Sequence, residues 1–396
     1  MVSGFLKISL NDFIWLLEMN INKKVKLPRT LYTLCNKIMR ISPWNIISIY
    51  LIGSLSTGEG TILKDGNTVH ILSDYDLEVI LRFYSPLFIR SASKLEEESS
   101  LKVKIGILPA FSLKNLKLIQ MYELKKKGIL LLGSKDILDQ IPMEKPSDIP
   151  LLEGIRRLLN GIVEMIEAIR YDEVKNEISS EQIQTLNYSS SKAYLACCSA
   201  LLTLIGEYRP SYRERCEIFK KVFRQKFKEL NKVFPDFPEK VQRALNFKLQ
   251  PSLSEFKQSS EEWFTSKDYI MATLEYYLSK YFSKTEYDLF SSLQDLQTLP
   301  IQPIFNLSYA LNSLLFLKKI PPFKSFFTIP MISIQIAAVY LMCSISKNKS
   351  HDLEMLKKAR DFVSMIYRTK DVSLHWNVLR DIIIKTWKIA PVYTSN

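Results

Sequence analysis

The sequence predicts an α+β protein, with a small mixed-sheet head in residues 1–150 and an all-helical body in residues 151–396. Three observations carry this reading. Short β-branched runs bounded by Gly and Pro crowd the first third, long apolar runs at helical spacing fill the rest, and the change of character falls at Pro150. Brief β-branched runs closed by turn residues read as strands, and apolar residues three or four apart over many positions read as amphipathic helices. A chain of 396 residues also exceeds what one ordinary core covers, which favours two domains.

In order, residues 27–40 read as a helix with Leu31, Leu34 and Ile38 on one face, ended by Pro43. Ile46–Ile52 is β-branched, closes on Gly53 and reads as a buried strand. Asp74–Leu81 alternates, with Tyr75, Leu77 and Val79 on one face and Asp74, Asp76 and Glu78 on the other. Between these strands Asp65-Gly66 separates two short apolar runs, the signature of an inserted hairpin. Lys102–Leu108, ended by Pro109, is a third strand candidate; residues 116–126 read as a helix and 129–132 as a short strand. Beyond Pro150, Leu151–Ile169 and Lys192–Ile205 read as strongly apolar helices, and a string of prolines from Pro210 to Pro322 breaks up the remainder. A break near 250–300 leaves room for two sub-bundles.

The formal net charge is +13, a surplus that attracts nucleotides, nucleic acids and acidic lipid surfaces. The densest basic stretch runs from Arg209 to Lys228. Phe219, Phe223 and Phe227 recur within it at helical spacing, so a solvated helix face over an aromatic seam is the plainer reading and a nucleic-acid contact the other. Ser325–Ser346 carries no charge and is long enough to span a bilayer. Pro330 and Gln335 interrupt it, and a buried central helix is expected instead of a membrane span. Asp12 and Glu18 break the apolar N-terminal stretch, no small-residue cleavage site follows, and no signal peptide is expected. The five cysteines show no C-x-x-C pair and no nearby histidine at ligand spacing, which argues against structural zinc or a disulfide framework. A reduced, cytoplasmic setting is expected.

The residues that carry chemistry are Gly53-Ser54, at the end of one strand, and Asp74 and Asp76, opening the next. A period of two places both carboxylates on one face, where hard oxygen ligands suit Mg²⁺. These motifs, with the apolar strand before the first and Asp-x-Asp-x-x-Val-Ile forming the second, resemble the nucleotidyltransferases of the DNA polymerase β superfamily. Tyr122-Glu123-Leu124, Lys127-Gly128-Ile129-Leu130 and Gly133 resemble the end of such a domain. Lys192–Leu202 and Gly206–Tyr212 resemble the helical domain attached to bacterial and archaeal members, so the likeness covers residues 30–230.

The resemblance implies Mg²⁺-dependent transfer of a nucleotidyl group from a nucleoside triphosphate to an acceptor hydroxyl or phosphate. Gly53 and Ser54 then receive nucleotide phosphate, Asp74 and Asp76 hold metal, and Lys192 reaches the triphosphate. This sequence departs from the family pattern twice. The interval between the two motifs is long, and the following strand offers Lys102 and Lys104 where the family places a third acid. Glu78 faces the same way as the Asp pair, one pleat further along, and is the candidate substitute ligand. Two further readings stand beside the enzyme: a degenerate nucleotide-binding or interaction protein lacking the third acid, and an RNA-binding or RNA-end-modifying enzyme whose only warrant is charge. Each site residue also has a plainer role, as acids on a solvent-facing strand edge, a turn serine or a snorkelling lysine. Arg368 and His375 fit the Arg-x4-6-His spacing of HEPN-type ribonucleases, a two-residue pattern that chance supplies readily, and a surface helix cap is preferred.

Overall fold

The computed structural model describes residues 7–8, 29–65, 68–71, 73–171, 179–251, 260–283, 288–300, 303–347, 350, 352–367 and 374–390. The head is a four-stranded mixed sheet in the order β6-β5-β2-β7, where β2 is Ile46–Ile52, β5 Tyr75–Leu81, β6 Val103–Pro109 and β7 Ile129–Gly133. A second sheet of three short strands joins Lys7–Ile8 (β1), Ile62–Asp65 (β3) and Thr68–Ile71 (β4) in the order β1-β4-β3. Strands β3 and β4 pair antiparallel, so the inserted hairpin between the two motifs is present; Gly66 at its tip lies outside the described residues.

Strands β2 and β5 are buried along almost their whole length because both faces of the sheet are covered. Ile49, Leu51, Leu77, Val79 and Leu81 pack with Leu31, Leu34 and Ile38 of helix α1 (Arg29–Ile41) and with Phe88 and Ala92 of α2 (Pro86–Glu98). The alternate residues Tyr50, Ile52 and Ile80 face the opposite way, onto Met121, Tyr122 and Leu124 of α3 (Ile119–Lys127). Helix α2, which the sequence pattern does not announce, starts where the Ser85 side chain accepts from the Phe88 amide and Pro86 takes the first turn. It is the crossover that parallel pairing of β5 and β6 requires.

The body has helices α4 (Leu152–Glu167), α5 (Ser180–Leu204), α6 (Tyr212–Lys226), α7 (Phe237–Leu249), α8 (Glu261–Tyr281), α9 (Pro303–Asn312), α10 (Pro330–Cys343), α11 (Leu353–Ile366) and α12 (Trp376–Ile389), with shorter turns between them. One continuous apolar core runs through them from Leu152 to Ala390, across the 250–300 region. The uncharged stretch forms α10, buried from Pro330 to Met342. Its Gln335 amide is matched by a hydrogen bond of 2.8 Å to Asn160. Among the described residues no helix is long and apolar enough to cross a membrane. In α6, Phe219 and Phe223 point into the core, as does Phe227 just after it, while Lys220, Lys221, Arg224 and Lys226 stay exposed.

Two details differ from the sequence reading. Lys192 does not open a helix; α5 begins at Ser180, where Ser179 and Gln182 form a capping box, and Lys192 sits in its middle. Arg368 lies outside the described residues, and His375 is the cap residue preceding α12.

Head and body are joined by reciprocal carboxylates. Glu59 of the head, fully buried, accepts from the amides of Tyr212 (2.7 Å) and Arg213 (2.9 Å) and from the Ser211 hydroxyl (2.8 Å), closing the N-terminus of α6. Glu153 of the body accepts from the Ile119 amide (2.7 Å) at the start of α3. Each satisfies donors that a helix leaves orphaned at its first turn. Beside them the Tyr208 hydroxyl donates to Glu123, and the buried Arg215 reaches both.

Candidate active site

At the end of β2 the chain turns through Gly53 into a single helical turn, Gly53–Ser56. The antiparallel register sets Ile52 opposite Asp76, so the strand end and the Asp-x-Asp motif meet. Gly53 has φ +72°, and a β-carbon there would lie 2.6 Å from Asp76 Oδ2. Left-handed backbone and close carboxylate approach both demand glycine. The Ser54 hydroxyl donates to Ser73 Oγ (3.3 Å), which also accepts from the Thr61 amide (2.7 Å). These bonds tie the loop after Gly53 to the residue preceding Asp74.

The acidic face of β5 is not a solvent edge. Strand β5 is central, and that face looks into a cleft of about 480 Å³ between sheet and helical body. Gly53, Ser54, Asp74, Asp76, Glu78 and Lys192 all line it, so the structure brings every sequence-predicted site residue to one place. Parallel pairing with β6 sets Asp76 beside Lys104 and Glu78 beside Gly106. Lys102 Nζ lies 2.7 Å from Asp74 Oδ1 and Lys104 Nζ 2.8 Å from Asp74 Oδ2.

The three acids then diverge. Burial works to raise the Asp74 carboxyl, but Lys104 and Lys102 outweigh it and hold it below its ordinary value. Burial, offset only in part by Lys104, pushes Asp76 up to about 6. Asp76 has no hydrogen-bond or ion-pair partner among the described residues. Glu78 is 1% exposed, and burial pushes it up to about 8 despite the hydrogen bond it accepts from Gln120 Nε2. Its carboxyl fills the space beside Gly106, where any β-carbon would collide with it at 2.5 Å. Glu78 is thus a protonated wall residue at neutral pH.

Across the cleft Lys192 pairs with Glu164 (3.2 Å) and lies 5.2 Å from the centre of the Tyr188 ring. Burial tends to lower its pKa, but Glu164 outweighs that and holds it above the ordinary lysine value. Arg157, Tyr212 and Lys248 also line the cleft and were not legible as site residues. Arg157 lies within an apolar run, and Lys248 stands at the end of a helix before Gln250-Pro251, where a lysine reads as surface. A scan of protein-family models and a search of curated proteins both return no match for this chain.

Proposed function

We propose that the cleft binds a nucleoside triphosphate with Mg²⁺ and that the head transfers its nucleotidyl group to an acceptor hydroxyl or phosphate. One observation carries this reading: Asp76, without a partner and closed against the left-handed Gly53, shares a cleft with Asp74 and with the body's Lys192. Two carboxylates on one strand face fit a hard dication. When bound, such an ion neutralises phosphate charge and activates an attacking oxygen. The chain's own residues supply the rest. Gly53 leaves its backbone open to close approach by a phosphate. Lys104 and Lys192 bring positive charge from the two sides of the cleft. In the transfer, the acceptor oxygen bonds to the α-phosphorus, the bond to the bridging oxygen breaks, pyrophosphate leaves, and the acceptor's proton passes to solvent.

The lysines on Asp74 favour a second reading, a site that binds but does not turn over. Magnitude ranks the two. The Lys102 and Lys104 side chains are 63% and 69% exposed while Asp74 itself is 15% exposed. Both ammonium groups can swing to solvent, and ion pairs with one partner at the surface are worth only about 1 kcal/mol. A metal-bound triphosphate can displace them, so the enzyme reading leads. Calorimetry with ATP and GTP, with and without Mg²⁺, tests nucleotide binding, and label transfer from α-labelled ATP tests turnover. Lys104→Asp separates the readings: transfer gained only in this variant supports the binding protein, and transfer already present in the native chain supports the enzyme.

A further inference from the structure

Three cations are buried among the described residues: Arg215, Arg380 and Lys248. Two of them are fully matched. Arg215 is held by Tyr208 and Glu123. Arg380 donates to the Ile166 carbonyl at 3.0 Å, to the Glu167 carbonyl, and to Asp381. Lys248 is 6% exposed and differs from both. Among the described residues no carboxylate stands within ion-pair distance of it; its Nζ lies 4.8 Å from the centre of the Tyr212 ring, and its charge reaches Asp76 across the cleft. The Lys248 stem is packed away while its ammonium opens on the cleft, and an aromatic face attracts a cation without neutralising its charge.

The surroundings show where an anion fits. Lys248 lines the main cleft and also a side lobe of about 140 Å³. Every residue of that lobe comes from the helical body, among them Arg157, Asn160, Ser199 and Tyr212. The other two cations of the lobe already have acids, Lys192 with Glu164 at 3.2 Å and Arg157 with Glu123 at 3.9 Å. The lobe has the volume of about four or five liquid waters. That accommodates a phosphate or carboxylate group.

We propose that this lobe is the subsite for an anionic group, phosphate or carboxylate, on the acceptor, with Lys248 as its charge partner and Arg157, Asn160 and Ser199 as polar neighbours. The word acceptor rests on the nucleotidyltransferase reading; the anion site does not. It makes the second substrate an anionic small molecule or chain end, bound by the body while the head holds the nucleotide.

The test uses the full chain with inorganic phosphate and, separately, acetate as probes, titrated calorimetrically with and without a saturating non-hydrolysable ATP analogue and Mg²⁺. The probe that binds more tightly identifies the anion class. Expected is binding by the native protein that persists with the analogue present, falls at least tenfold in Lys248→Met, and is retained within a few-fold in Lys248→Arg. Analogue affinity in Lys248→Met is expected to fall by clearly less than probe affinity does. Lys248→Met replaces a buried ammonium with an apolar chain of similar length, and circular dichroism verifies its fold; Lys248→Arg gives a second, charge-retaining comparison. Displacement of the probe by the analogue, or equal loss of both affinities in Lys248→Met, overturns the proposal by assigning Lys248 to the triphosphate. Absence of binding by both probes overturns it also. Lys248-dependent probe binding without any analogue binding removes the nucleotide reading and leaves the anion site standing.

Discussion

Glu78→Gln is expected to stabilise the protein in alkaline solution and to change little in acid. Glu78 is 1% exposed, and burial raises its carboxyl from 4.5 to about 8. The sign follows from linkage. Between these two values the folded protein keeps the proton while the unfolded chain has lost it, so stability falls as pH rises from about 4.5 to about 8 and is flat beyond. At about 1.4 kcal/mol per unit, the full penalty above pH 8 is about 5 kcal/mol as an upper bound. Glutamine keeps the shape of the protonated acid, still accepts from Gln120, and removes the titration. An unfolding entropy of about 2.1 cal/mol/K per residue over a chain of this length turns the gain into a melting shift of up to about 6 °C at pH 9. At pH 5 the shift is expected below about 1 °C. Differential scanning calorimetry of both proteins at pH 5, 7 and 9 reads this directly. A shift of equal size at all three values, or a destabilised variant at pH 9, would refute a buried, proton-retaining Glu78.

Asp74→Ala combined with Asp76→Ala is expected to abolish Mg²⁺-dependent nucleotide binding with the fold intact; unchanged affinity by calorimetry would remove these acids from the site. Gly53→Ala puts a β-carbon 2.6 Å from Asp76 Oδ2 on left-handed backbone, so a loss of about 1–2 kcal/mol in thermal unfolding should come with weaker nucleotide binding. Glu59→Ala leaves the amides of Tyr212 and Arg213 without their acceptor, and a loss of about 2–3 kcal/mol is expected in denaturant unfolding. If the exposed lysines of α6 hold RNA, the logarithm of affinity should fall with the logarithm of salt by about 0.7–0.9 per neutralised phosphate; a salt-insensitive filter-binding curve would leave that face merely solvated.

Much of the head was legible because its strands are short, β-branched and closed by turn residues, and because β5 alternates as strictly as its two environments. The placement of the candidate site's acids was legible for the same reason: Asp74, Asp76 and Glu78 share a face whatever surrounds them. What the sequence concealed has physical causes. Helix α2 buries only Phe88 and Ala92 and reads as loop. The first half of α5 is rich in serine, a residue of turns and caps. Here Ser190 and Ser191 turn their hydroxyls back onto the carbonyls of Leu186 and Asn187, both at 2.9 Å, and so stay within the helix. The roles of Glu59 and Lys248 depend on partners brought together by the tertiary fold, Glu59 and Ser211 being 152 positions apart, and local pattern has no access to such pairs.

The exchange of carboxylates between head and body bears on how far the two can be treated as interchangeable modules. An excised head keeps its sheet but loses Glu153, leaving the Ile119 amide at the start of α3 to water. An excised body keeps its core but loses Glu59 from the start of α6. Grafting either half onto a foreign partner therefore discards one buried anion and exposes another helix end. Synthesis order adds an asymmetry: Glu59 leaves the ribosome long before Tyr212, so α6 cannot gain its acceptor until the sheet that carries Glu59 has formed. The buried anion that closes α6 is thus supplied by a segment more than a hundred residues upstream of the helix it serves.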